Sequence, residues 1–169
     1  PTLDKSVKKQ GLYEFLQDSV KPYNITNKKR IKQASKAGWQ CYNKHMEMLN
    51  KGFDYNTSIA VATGKRKESD LNQPPHDVTV VVCSHAYNLF DDYFSMRIGK
   101  KLQELGARMI VPDSVSREKL IKGISKLDAE YYWANETEIS GIAGHYIDSD
   151  EIDGIITMTA FGCGPDSLM

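Results

Sequence analysis

The side chains best suited to nucleophilic, acid–base or ligand chemistry in this 169-residue chain are three cysteines (Cys41, Cys83, Cys163) and four histidines (His45, His76, His85, His145). Cys163 has the most telling surroundings. A β-type run, Ile155 to Thr159, stops at Phe161-Gly162-Cys163-Gly164-Pro165, and Asp166 and Ser167 are suited to open a helix. Glycine on both sides of the thiol lets backbone approach a ligand closely, and Pro165 sets a turn while removing a donor. A thiol on a strand-to-helix turn of an α/β protein sits where such folds bind ligands.

Three roles fit Cys163. As a nucleophile it needs a base, for which His85 is the candidate on the same rim, and a helix N-terminus following it would favour the thiolate. As a metal ligand it needs partners, and the chain has no CxxC pair to supply them. As a structural residue it fills space, as buried cysteines do. His85 has a parallel choice between base, ligand and hydrogen-bonded loop residue. His45 lies on the apolar stripe of a helix and reads as a satisfied core histidine. His145 follows Gly141 and Gly144, which admit a close neighbour, most simply another helix. His76 beside Pro74-Pro75 reads as solvated. There is no GxGxxG and no Walker loop, so nothing points directly to a nucleotide.

The elements that position these residues follow from periodicity. Apolar residues at helical spacing predict a helix over about Asp4 to Asp18 and a longer one over about Asn27 to Asn50, stopped by Lys51-Gly52. Asp54 to Ala62 adds one or two helical turns. Residues 1–62 thus form a helical segment, and 63–76, charged and aperiodic and ending in Pro74-Pro75-His76, forms a linker. Residues 77–169 have a different texture. Val78 to Val82 is a continuous β-branched run, the mark of a strand buried on both faces. A loop, Cys83 to Asn88, follows it. A helix from about Tyr93 to Leu105, capped by Asp91 or Asp92, turns Phe94, Ile98, Leu102 and Leu105 inward. A second strand, Ala107 to Val111, ends at Pro112-Asp113. Ser116 caps a helix with Leu120, Ile121, Ile124 and Leu127 inside. Tyr131-Tyr132-Trp133 precedes a helix that Asn135 and Glu138 open as a capping box. Ile155 to Thr159 is the third strand.

Strand–helix alternation predicts an α/β fold with right-handed crossovers, a parallel sheet in the order 2-1-3, helices on both faces and the N-terminal helices packed on it. The carboxyl ends of the strands then converge. The first delivers Cys83, Ser84, His85, Tyr87 and Asn88, the second Asp113 and Ser114, the third Cys163. His85, Tyr87, Asn88, Asp113 and Ser114 are the candidate substrate-binding residues, and Cys163 the candidate metal ligand.

Composition sets outer limits. Length suits one domain. The charge balance, 22 basic against 22 acidic residues, gives no overall pull toward nucleic acid or an anionic membrane. Three cysteines without paired spacing make no disulfide framework. No apolar run reaches the roughly 20 residues of a membrane span. A cytoplasmic protein is expected. Pro1 at the start and the end two residues past Ser167 lead us to expect a piece of a longer chain.

The strand-loop Val81-Val82-Cys83-Ser84-His85-Ala86-Tyr87-Asn88-Leu89-Phe90-Asp91 resembles that of the 2-hydroxyacyl-CoA dehydratase / benzoyl-CoA reductase superfamily, and within it the CoA-substrate-specific enzyme activase (activator-related) branch. Lys101 to Ala107, Tyr132-Trp133 and Asp153-Gly154-Ile155-Ile156 leading to Phe161-Gly162-Cys163-Gly164-Pro165-Asp166-Ser167 agree in order. The resemblance covers roughly Asp77 to Met169. It implies a flavodoxin-like domain that contributes Cys163 to a [4Fe-4S] cluster used in electron transfer to a CoA-thioester enzyme. It also implies an ATP-dependent activase or a sister dehydratase domain as partner, possible contact with acyl-CoA, and an anaerobic bacterial setting. Where the superfamily loop often carries Gly-Arg-Pro-Tyr, this chain has Ser84-His85-Ala86-Tyr87 and loses the arginine. The other cluster ligands would lie outside the chain, and the ATPase motifs of an activase proper are absent from it. A docking module without a complete cofactor, and a thiol enzyme with Cys163 as nucleophile and His85 as base, are the rival readings.

Overall fold

The computed structural model describes residues 11–127, 134–160 and 162–164. Helices α1 (Leu12–Val20), α2 (Lys28–Asn50) and α3 (Tyr55–Ala62) come first. Asp54 accepts a hydrogen bond from the Thr57 backbone N–H at 2.9 Å, an N-cap that fixes where α3 begins. The α/β part then runs β1 (Val78–Cys83), α4 (Ala86–Phe90), α5 (Ile98–Glu104), β2 (Ala107–Ile110), α6 (Arg117–Ile124), α7 (Ala134–Tyr146) and β3 (Gly154–Thr157). The chain forms two compact units, residues 1–44 and 45–169, and the division falls inside α2.

The sheet is parallel in the order β2-β1-β3, as strand–helix alternation requires. Val81 lies opposite Ile110 on one side and Ile155 on the other. Successive β1 side chains alternate faces, and both faces are covered. Val81 and Cys83 pack with Ile110, Leu120, Ile139, Ile142 and Tyr146. Val80 and Val82 pack with Leu49, Leu89, Leu102, Met109 and Ile156. The unbroken β-branched run of β1 is thus a consequence of double burial.

Helices α6 and α7 meet backbone to backbone. A Cβ on Gly141 would lie 2.5 Å from the Leu120 carbonyl oxygen, and one on Gly123 would collide with the Gly141 carbonyl. The neighbour that Gly141 and Gly144 admit is therefore α6.

Several local expectations fail for identifiable reasons. The predicted loop at Cys83–Asn88 contains the start of α4. The helix expected over Tyr93–Leu105 forms only from Ile98, because Met96 and Arg97 both take left-handed φ (48° and 58°). Asp91 does cap a turn, accepting from the N–H groups of Tyr93 and Phe94 at 2.9 and 3.0 Å. That turn does not propagate, so Phe94 is 63% exposed, and Leu105, past the end of α5, is 80% exposed. Ile121 is likewise outside the core. Asn135 lies within α7 rather than capping it, so Glu138 is not the far half of a capping box. The first predicted helix begins at Leu12 among the described residues, while Tyr131-Tyr132-Trp133, Phe161, Pro165, Asp166 and Ser167 lie outside them. Among the described residues no helix is long and apolar enough to cross a membrane.

Candidate functional site

The carboxyl ends of β1 and β3 are tied together. Met158 N–H donates to the Cys83 carbonyl at 3.0 Å, and the Ser84 hydroxyl donates to the Met158 carbonyl at 2.6 Å. Ser84 is 3% exposed, so its hydroxyl serves the fold rather than a ligand. Beyond this clasp the chain turns through Ala160 to Cys163, whose N–H donates to the Ala160 carbonyl at 3.0 Å. Gly162 takes φ 77° in that turn, a conformation glycine adopts without strain. Cys163 is half-buried there.

His85 occupies the N-cap position of α4, its carbonyl accepting from the N–H groups of Asn88 and Leu89. Its ring stacks on Tyr87 at 5.3 Å with an 11° interplanar angle. Tyr87 meets Phe94 edge-on, and Phe94 meets Tyr93 in the same way. Tyr87 is 48% exposed, so the rim of β1 carries an accessible aromatic surface. Asn88 turns inward instead; its side-chain nitrogen is buried with no hydrogen-bond partner among the described residues.

The end of β2 is built differently. Pro112–Ser114 forms a 3-10 turn in which the Ser114 hydroxyl donates to the Val111 carbonyl at 2.8 Å and accepts from Val111 N–H at 3.3 Å. The Ser114 carbonyl accepts from the Asn50 side chain at 2.8 Å. Asp113 interacts electrostatically with His45, and burial raises its pKa despite that histidine. Burial also raises Glu138, which Asp113 raises further and Arg117 opposes. His45 has its pKa lowered by burial, with Asp113 acting the other way. Its ring meets Tyr55 edge-on, and Tyr55 stacks on Phe90 at 4.3 Å. Contrary to the expectation of a satisfied core histidine, Nδ1 of His45 is buried without a hydrogen-bond partner among the described residues.

Four of the six predicted site residues fall into two groups, while Asn88 turns inward and Ser114 spends its hydroxyl on its own turn. His85, Tyr87 and Cys163 sit about the clasped ends of β1 and β3. Asp113 belongs with His45 and Glu138, a half-buried, electrostatically linked group that periodicity could not reveal because its members come from α2, the β2 turn and α7. A cavity of about 300 Å³, lined in part by Tyr55, Phe90, Asp92, Arg97 and Lys100, also went unforeseen; it lies against α5 rather than at the strand ends.

The thiols do not assemble a metal centre by themselves. Burial pushes the Cys83 thiol up to about 12, which disfavours the thiolate that a metal requires. Cys41 lies on α2, and among the described residues no group of three or more His, Cys, Asp or Glu side chains is placed to hold a metal ion. A [4Fe-4S] cluster takes four cysteine ligands, and the donor set here does not fit one unaided.

A model of the family described as the CoA enzyme activase uncharacterised domain matches residues 1–115. The chain belongs to this family. The match takes in the helical front as well as β1, its loop and β2, so His85, Tyr87, Asn88, Asp113 and Ser114 of this CoA enzyme activase-family chain fall inside it and Cys163 falls beyond it. No curated protein and no solved structure matches the chain.

Proposed function

We propose that this domain serves a dehydratase-type, CoA-thioester-linked electron-transfer system as a ligand-contributing docking domain. Cys163 would give one thiolate to a [4Fe-4S] cluster whose other ligands come from elsewhere, in an activase or a sister dehydratase domain. The observation that carries the reading is the placement of Cys163, half-buried on a glycine-flanked turn immediately past the clasped ends of two parallel strands. Family membership supports the link to a CoA-enzyme activase. His85 and Tyr87, stacked at the same rim, would supply an aromatic face to a partner or to part of a CoA thioester.

Iron and acid-labile sulfide in the anaerobically purified protein that carries this domain test the proposal. We expect both to be present, to fall in Cys163→Ser, and to be retained in Cys41→Ser. Iron and sulfide unchanged in Cys163→Ser would sink the ligand role. Their absence from the wild type after reconstitution would remove the iron–sulfur reading altogether and leave docking alone. A docking domain with no cluster is also the outcome in which a partner still binds the rim of β1 and β3, read as loss of binding in Tyr87→Ala.

A further inference from the structure

The charges of this neutral chain are sorted by position. Residues 1–44 carry ten basic and three acidic side chains, and residues 45–169 carry twelve basic and nineteen acidic ones. From Ser19 to Met46 there are seven basic residues and no acidic one; from Leu127 to Met169 there are nine acidic residues and no lysine or arginine. The two compact units thus have equal and opposite net charge.

The basic half is concentrated on α2. Lys29, Lys32, Lys36 and Trp39 follow one another at steps of three and four, which places them along one side of the helix. Lys28, Lys29, Arg30, Lys32 and Lys36 are all exposed, and no ion pair is recorded for any of them among the described residues. The arrangement is unfavourable for the helix alone. Lys28, Lys29 and Arg30 stand in its first turn against the helix dipole, and Lys28–Lys32 and Lys32–Lys36 are like-charge pairs at i,i+4. Trp39 and Tyr42, in edge-to-face contact at 5.6 Å, are each half exposed beside these lysines.

The acidic half has a matching surface. The connection from α7 to β3 exposes Asp148, Asp150, Glu151 and Asp153 within six residues, next to Ile147 at 58% exposure. Lys126 answers Asp148 alone, at 3.5 Å.

We propose that the basic, aromatic side of α2 docks on the acidic α7–β3 connection of a second copy of the chain. Each copy carries both surfaces, and a pair in which both contacts form is a two-fold dimer. Zero overall charge leaves no net repulsion between copies, while opposed patches steer encounter and set the pairing. Trp39 and Tyr42 are the apolar anchors at the centre of the contact, with Ile147 opposite.

The experiment is sedimentation of the 169-residue chain over a range of protein concentrations at low and high salt. A concentration-dependent dimer is expected at low salt, with dissociation rising roughly tenfold or more as the screening length falls from roughly 30 Å at 0.01 M to roughly 3 Å at 1 M. A charge swap then tests the pairing. One variant carries Lys28→Glu, Lys29→Glu, Arg30→Glu, Lys32→Glu and Lys36→Glu, the other Asp148→Lys, Asp150→Lys and Glu151→Lys; all eight positions are exposed, and circular dichroism checks that both fold. Each variant alone should be monomeric, because its two surfaces carry like charge. The mixture should dimerise, because both contacts are restored. A wild type that stays monomeric at low salt overturns the proposal, whether the basic face then binds anionic vesicles, nucleic acid or the acidic half of its own chain. A dimer that ignores both salt and the swap overturns it too.

Discussion

The Ser84 hydroxyl donates to the Met158 carbonyl at 2.6 Å, and this bond joins the carboxyl ends of β1 and β3 immediately before the turn that presents Cys163. β3 is a short edge strand of four residues, so few other bonds hold its end. Ser84→Ala removes a buried donor and leaves the part-buried Met158 carbonyl short of a partner. We expect a loss of about 1–2 kcal/mol of stability, measured by denaturant unfolding, and faster hydrogen exchange at the Cys163 amide than at amides of α6. A variant with wild-type exchange at Cys163 would show that the turn is held by other means.

The α6–α7 crossing predicts a sharp contrast between two glycines. Gly123→Ala drives a methyl into the Gly141 carbonyl, and backbone on both sides gives it nowhere to go. The cost should be at least about 2 kcal/mol. Gly38 lies in α2 with nothing near its missing Cβ, and Gly38→Ala should stabilise by about 0.5–1 kcal/mol through helix propensity alone. Thermal unfolding of the two variants should move in opposite directions. Equal shifts would mean that the crossing is looser than its backbone contacts require.

Cys83 gives the fold an alkaline limit. Burial raises the thiol to about 12, so the folded state holds its proton where the unfolded chain would release it. For an acid whose folded pKa is raised, the stabilisation is complete below the unfolded value and is lost as pH climbs toward the folded one. Stability should therefore decline from the ordinary thiol range near about 8.5 up to about 12. Cys83→Val keeps the volume and removes the proton, and should flatten this limb in urea melts taken at increasing pH.

The sheet order was legible because three apolar runs separated by helical patterns leave few parallel topologies. The glycines of α7 were legible too, since only a close neighbour explains two of them three residues apart. What stayed hidden was decided by contacts between distant segments. Phe94 and Leu105 fit a helical stripe, yet the left-handed backbone at Met96 and Arg97 ends the pattern, and no residue type there announces it. His45 looked like a contented core residue because its own helix stripe is apolar. Its unpartnered nitrogen becomes visible only once Tyr55, Phe90 and Asp113 are in place around it. Of the site, periodicity could place His85, Tyr87 and Cys163 at strand ends, but it could not tell that Ser114 spends its hydroxyl on its own turn.

The same histidine gives the acid limit. Burial lowers the His45 pKa, so the unfolded chain takes up a proton at a pH where the folded state still resists it. For a base whose folded pKa is depressed, the stabilisation is present above the unfolded value of about 6.5 and is lost as pH falls through the folded one. Asp113 moderates the effect, because its carboxylate favours the imidazolium, and its own burial delays its ionisation. His45→Phe keeps an aromatic ring against Tyr55 and removes the orphaned Nδ1. It should stabilise the protein by about 1 kcal/mol near neutral pH and weaken the loss of stability below about pH 6.5. Asp113→Asn should do the opposite at the acid end, since the imidazolium then has no carboxylate to face and the fall in melting temperature steepens. If His45→Phe and the wild type lose stability in parallel as pH drops, the acid sensitivity belongs to a carboxyl group whose pKa the fold lowers, such as Glu118 with its backbone and Ser116 hydrogen bonds, and His45 is a spectator.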